Sequence, residues 1–246
     1  MLCYSNTIAG TPQGGTTYSV TDATLTGDQF YIFPWIASAR VGVKYSGSSA
    51  YPTENATRQS QTCFMRGLKE NIEIQTNSGL SWQWRRICFT MKGSRINQND
   101  RNGLRFSLQT AQGMVRVVNS IVGDSSLGDF ATLLFKGVKD KDWNNYITAP
   151  LDNSRVTVKF DKTRTITTGN TYGVMRKYRL WHPMNKNLVF DDDENGDIAD
   201  LSRYSTVAKA GMGDYYVVDI FTPGFGGVAS DKLIFGPSAT LYWAEK

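Results

Sequence analysis

Histidine occurs once in this 246-residue chain, as His182, and cysteine three times, as Cys3, Cys63 and Cys88. A single imidazole excludes a two-histidine metal nuclease and any replication initiator built on a His-x-His pair. It also leaves nucleophilic catalysis with one candidate base, and no Gly-x-Ser-x-Gly elbow is present for that base to serve. Gly-x-x-x-x-Gly-Lys-Ser/Thr is absent as well, and the glycine cluster at 223–227 has no following helix to aim amides at a phosphate. Three widely spaced cysteines with no Cys-x-x-Cys pair indicate neither a disulfide framework nor a zinc site, and fit a reducing compartment. Cys63 and Cys88, in strand-like segments, read as small buried hydrophobes. No basic region followed by an apolar one opens the chain, and no window approaches the roughly 18 apolar residues of a membrane span. The expectation is a soluble protein without a secretory leader, a cofactor or an enzymatic centre.

What is present points to strands. Hydrophobic residues make up 40% and charged residues 20% of the chain, enough for a core and far from the composition of disorder. From residue 64 to 89 two alternating runs flank Asn77-Ser78-Gly79. Leu68, Glu70, Ile72 and Ile74 share one face of the first, with Lys69, Asn71, Glu73 and Gln75 on the other, the pattern of a half-buried strand. In the second run Trp82, Trp84, Arg86 and Cys88 oppose Arg85, Ile87 and Phe89, so something must cover both faces. Further strands are predicted at 16–20, 29–36, 104–109, 114–119, 155–167, 173–181, 214–222 and 232–242, each punctuated by Gly, Pro, Asn or Asp. Pro34 places the end of the second of these at an edge or bend. Pro183 reads as ending the strand that precedes it.

Helix signals are scarce. The best lies over 126–135, where Ser126 and Asp129 resemble a capping box. The expected fold is all-β: a single jelly roll, an eight-stranded Greek-key double-sheet sandwich with long loops and at most one or two short helices. Residues 1–27 read as an extended N-terminal arm and 28–246 as the jelly-roll domain.

The formal charge of +5 suggests an anionic partner. The basic residues are the best functional candidates, with Lys44, Arg66, Arg85, Arg86, Arg176, Lys177 and Arg179 as the cations of a nucleic-acid site. Trp82 and Trp84 beside the arginine pair would supply stacking surfaces for bases. The competing reading puts those indoles in the core and the arginines in ion pairs. Asp191, Asp193, Asn195 and Asp197 around Gly196 have the spacing of a calcium loop, but Ser202 stands where the bidentate glutamate belongs, so a solvated acidic loop is the expectation. Asn55-Ala56-Thr57 is a glycosylation sequon without an export signal to make it one.

The stretch from Phe64 to Phe89, together with Trp181-His-Pro-Met-Asn-Lys-Asn-Leu-Val-Phe-Asp-Asp-Asp-Glu194, resembles the capsid proteins of genomoviruses, particularly gemycircularvirus-like single-stranded DNA viruses. The similarity runs from about Phe64 to the C-terminus. It implies a jelly-roll subunit that assembles with copies of itself into a small icosahedral shell around circular single-stranded DNA, found in the virion and, during assembly, in the host nucleus. The family's Arg/Lys-rich arm has no counterpart in residues 1–27. A charge of +5 offsets only about five nucleotides, so packaging would draw on an arm outside this sequence or on basic residues of the folded domain. The alternative function is a lectin-like carbohydrate-binding sandwich, with exposed aromatics on sugars and the acidic loop on calcium.

Overall fold

The computed structural model describes residues 1–7, 15–47, 57–93, 103–196 and 198–245. Its elements are β1 (Cys3–Ser5), β2 (Ala23–Thr26), β3 (Tyr31–Ile36), β4 (Thr62–Thr76), β5 (Trp82–Met91), β6 (Gln109–Thr110), β7 (Gly113–Met114), β8 (Arg116–Val118), α1 (Ser126–Leu134), β9 (Thr157–Ile166), β10 (Met175–Val189), β11 (Asp193–Asn195), β12 (Ile198–Asp200), β13 (Asp214–Pro223) and β14 (Lys232–Glu245). Eight of them form two four-stranded antiparallel sheets, in the orders β2-β14-β4-β10 and β3-β13-β5-β9. Among these eight, every step along the chain crosses to the opposite sheet except β5 to β9, which pair side by side. That is the double Greek-key order of a jelly roll.

The two sheets pack face to face through Trp35, Leu68, Ile72, Ile74, Trp84, Val217, Phe221, Phe235 and Leu241. Alternation along β4 is as read from the sequence: Leu68, Glu70, Ile72 and Ile74 are buried, while Lys69 and Asn71 are exposed. Both faces of β5 are covered as well. Trp82, Trp84 and Cys88 face the other sheet, and Ile87, Phe89 and Met91 join a separate cluster on the back. That back face is roofed by the long crossover from β5 to β9, which contributes Phe106, Ile121, Phe130, Leu134, Trp143 and Tyr146. The β2-β14-β4-β10 sheet has no such roof among the described residues. Among the described residues the sandwich therefore has one covered outer face and one bare one.

Several expectations are corrected in detail. Residues 16–20 form no strand: Ser19 bridges to Ser5, and Tyr18 packs against the core between the sheets. Ala23–Thr26 is instead a core strand at a sheet edge, so the boundary drawn at residue 27 falls after the first core strand. Residues 104–108 are irregular, because their apolar side chains roof a sheet and do not pair within one. Pro34 does sit in the edge strand β3, where alternate amides point away from the ladder. Pro183 does not end β10. The strand continues to Val189 past an irregularity between Pro183 and Lys186, and because β10 is an edge strand the missing amide interrupts little. Helix α1 forms, with Ser125 as N-cap and no side-chain cap bond; Asp124 Oδ1 accepts from the Ser126 amide at 2.8 Å instead. The sequon residues Asn55 and Ala56 lie outside the described residues.

Asp214, at the start of β13, is fully buried. Ser38 Oγ, Ser205 N and Ser205 Oγ donate to it at 3.1, 2.9 and 2.8 Å. Burial raises its carboxyl to about 6, the three donors only partly opposing the shift. The folded chain thus holds this proton more tightly than the unfolded chain, whose carboxyl ionises near 3.8. Its contribution to stability is full below about pH 3.8 and lost as pH rises through about 6, a difference of about 3 kcal/mol. Asp214→Asn is expected to flatten the pH dependence of the urea midpoint between pH 4 and 7, and an unchanged slope would remove Asp214 as its source.

Candidate nucleic-acid interface

The Trp-Gln-Trp-Arg-Arg segment is buried apart from Gln83. Trp82, Trp84, Arg85 and Arg86 are 1%, 0%, 5% and 2% exposed, so the assignment of these four to DNA is corrected. Arg86 points between the sheets. It donates twice to Asp219 on β13, at 2.8 and 2.7 Å, and once to Glu70 on β4, at 2.5 Å. Arg116 adds a 2.8 Å bond to Asp219 and lies 3.5 Å from Glu70, and Trp84 Nε1 donates to Asp219 at 2.7 Å. Two guanidiniums and two carboxylates thus neutralise one another with almost no solvent contact. Burial alone would raise the Glu70 carboxyl, but Arg86, His182 and Arg116 outweigh it and hold it down at about 2. Arg85 points the other way: it pairs with Asp161 at 2.7 Å and donates to the carbonyls of Tyr146 and Ala149, pinning the crossover to the sheet it roofs. Adjacent arginines on a strand face opposite sides, and here both sides are buried.

His182 lies in the same interior, its Nε2 3.5 Å from Glu70 Oε2 and its Nδ1 3.8 Å from Cys88 Sγ. No serine or threonine hydroxyl bonds it among the described residues. Burial raises the Cys88 thiol out of the range of a reactive thiolate.

The bare face of β2-β14-β4-β10 is where cations gather. Strand registers set its side chains in rows across β10, β4 and β14: Lys177, Glu73 and Gly236; Arg179, Asn71 and Ser238; Trp181, Lys69 and Thr240; Pro183, Gly67 and Tyr242. The first two rows, with Lys69 of the third, line a groove of about 460 Å³. Arg66, exposed, joins this face at the bulge that the β4–β14 register places between Met65 and Gly67. Lys177 pairs with Glu73 at 3.1 Å, and together with Gln75 it holds the Glu73 carboxyl below its usual range. Among the described residues no carboxylate pairs with Lys69 or Arg179.

No protein-family model matches this chain, and no curated protein matches it either. The reading of the face therefore rests on its own residues. Of the cations read from the sequence, the structure brings Arg66, Lys177 and Arg179 together. Arg176 is displaced from them, since on a strand it has the opposite parity to Lys177, and it donates to the Thr167 carbonyl at the strand end. Lys44 lies outside the eight sheet strands, in a turn after β3 where its carbonyl accepts from the Gly47 amide. Lys69 was missed although alternation already placed it outward. Trp181 was missed although 177, 179 and 181 share a face by the same rule. Tyr242 is beyond sequence reasoning, because its neighbours across the sheet are set by register.

The acidic segment is a hairpin. Asp193–Asn195 pairs with Ile198–Asp200 around Gly196, and an extended strand spreads alternate residues by nearly 7 Å where a calcium loop would wrap them. Asp192 is taken by Arg58, which grips both carboxylate oxygens while lying over the Phe190 ring. Asp191 is exposed, and Asp197 lies outside the described residues. Among the described residues no three His, Cys, Asp or Glu side chains are grouped to hold a metal ion.

Proposed function

We propose that this chain is a structural subunit that assembles with copies of itself into a closed shell and encloses single-stranded DNA, in the manner of the viral capsid proteins its sequence resembles. The observation that carries the reading is the asymmetry of the sandwich: a jelly roll with one outer face roofed by its own crossover and the other left bare and basic. Such a face offers an enclosed polyanion Lys69, Lys177, Arg179 and Arg66 against two carboxylates, Glu73 and, over Gly236, Asp22. The buried charge network adds a rigid interior, which suits a part that must repeat many times in one geometry. Fold alone does not decide function, because sandwiches of this order also serve as lectins. The lectin-like reading draws on the exposed aromatics of the same face, but a neutral sugar has no use for the cations around them.

Electron microscopy of the purified chain tests the proposal, with absorbance at 260 and 280 nm read on the nuclease-treated sample. Uniform closed particles with a raised ratio are expected. Chains that stay monomeric across salt and pH, and that bind a glycan array instead, would replace it with the lectin-like reading.

A further inference from the structure

Trp181 and Tyr242 are 47% and 44% exposed, on the sheet face that no described residue roofs. Their rings meet 5.8 Å apart at 58°. The pair is built into the sheet and not merely left on it. The six-membered ring of the Trp181 indole covers Gly67 so closely that a Cβ there would lie 2.5 Å from it and 2.8 Å from the His182 carbonyl. Glycine on β4 thus lets the indole from β10 reach across toward Tyr242 on β14, leaving an aromatic surface over three strands. Lys69 is the cross-strand neighbour of Trp181, and Arg179 precedes it by two residues on the same face. Arg66 adjoins Gly67 and bonds to the neutral Asn185.

We infer that Trp181 and Tyr242 form a base-stacking platform that makes this face select single-stranded DNA over duplex, with Lys69, Arg179 and Arg66 taking the flanking phosphates. The inference rests on the proposed role in enclosing DNA and changes its character. Contact is no longer electrostatic alone, because an aromatic platform engages unpaired bases whatever their sequence. A duplex keeps its bases stacked inside and offers the indole only backbone. A second copy of this chain seated here by a twofold axis would set the same cations against one another, and a sugar would leave them without counter-charge.

The test uses the intact chain and short oligonucleotides: oligo-dT, oligo-U, an abasic deoxyribose-phosphate oligomer, and a duplex of equal length. Oligo-dT should bind more tightly than the duplex or the abasic oligomer. Trp181→Ala should weaken oligo-dT about 5-fold or more, the loss of one base stack, while Trp181→Phe retains most of the affinity. Replacing Lys69 and Arg179 by alanine should instead reduce the slope of log affinity against log salt by about 1.4. Equal affinity for oligo-dT and the abasic oligomer, or no effect of Trp181→Ala in a chain that keeps its parent unfolding midpoint, would overturn the platform. Tighter binding of oligo-U would overturn the assignment to DNA. Shell formation is scored separately. Shells with no stacking leave the subunit proposal standing and sink this one, and stacking without shells does the reverse.

Discussion

Replacing Arg86 by methionine is expected to lower folding stability by about 3–5 kcal/mol, the scale of breaking a buried ion pair from one side. Among the described residues the guanidinium is the only group that touches both Glu70 and Asp219 with full hydrogen-bond geometry. Without it Arg116 must satisfy two buried carboxylates, reaching Glu70 only at 3.5 Å. The penalty should shrink on acidification. Arg86 is the main attraction holding the Glu70 carboxyl at about 2, so its loss lets Glu70 take up a proton within an accessible pH range. In the parent chain the sign is the ordinary one for a depressed carboxyl: the Glu70 contribution is complete above about pH 4.5 and lost as pH falls toward 2. Removing Glu70 along with Arg86, as Gln and Met, deletes one charge of each sign and should recover part of the loss. A single Arg86→Met variant within about 1 kcal/mol of the parent in urea unfolding would mean that the network contributes nothing. It follows that lost DNA binding in an Arg85 or Arg86 variant reports unfolding and not a severed contact.

The second large effect is expected at a turn. Gly173, between β9 and β10, has a φ of +84°, and a Cβ there would lie 2.0 Å from the Thr76 carbonyl oxygen. That carbonyl cannot step aside. Thr76 N donates to the Val174 carbonyl at 2.9 Å, and Val174 N donates to Thr76 Oγ1 at 3.0 Å, so the turn is tied to the end of β4 on both sides. Gly173→Ala combines left-handed strain of about 1–2 kcal/mol with an overpacking cost of about 1–3 kcal/mol. Gly169, in the same connection, meets nothing within 4 Å. Its alanine variant should be neutral or more stable by a few tenths to about 1 kcal/mol. Equal unfolding midpoints for the two variants would contradict the strain argument.

The fold class was legible in the sequence because period-2 alternation over β4 and β5 is strong and because turn residues separate nearly every strand. The need for cover on both sides of β5 was legible for the same reason: large apolar groups occupy both parities. What sequence could not reveal is which charges the cover would take in. Arg85 and Arg86 beside two tryptophans have the chemistry of a DNA site, yet the carboxylates that claim them, Glu70, Asp161 and Asp219, lie 16, 76 and 133 residues away in the chain. Lys69 and Trp181 carried a local signal of outward direction, but their adjacency is a product of the β4–β10 register. The calcium spacing failed for a complementary reason, since local order does not say whether a segment wraps or extends.

The order of strands also sets when this molecule can fold. β13 lies between β3 and β5, and β14 between β2 and β4, so one inner strand of each sheet comes from residues 214–245, which are synthesised after both of its partners. While the ribosome is still making residues 214–245, β5 can pair with β9 and β4 with β10, but Tyr31 has no Phe221 beside it and Leu25 no Leu233. Two half-sheets with open edges therefore precede any sandwich, the kind of species that associates with its neighbours before it finds its own partner. Closure is a long-range event, slow by topology, and in a crowded cell the nascent chain needs its edges shielded until the final two strands slide in.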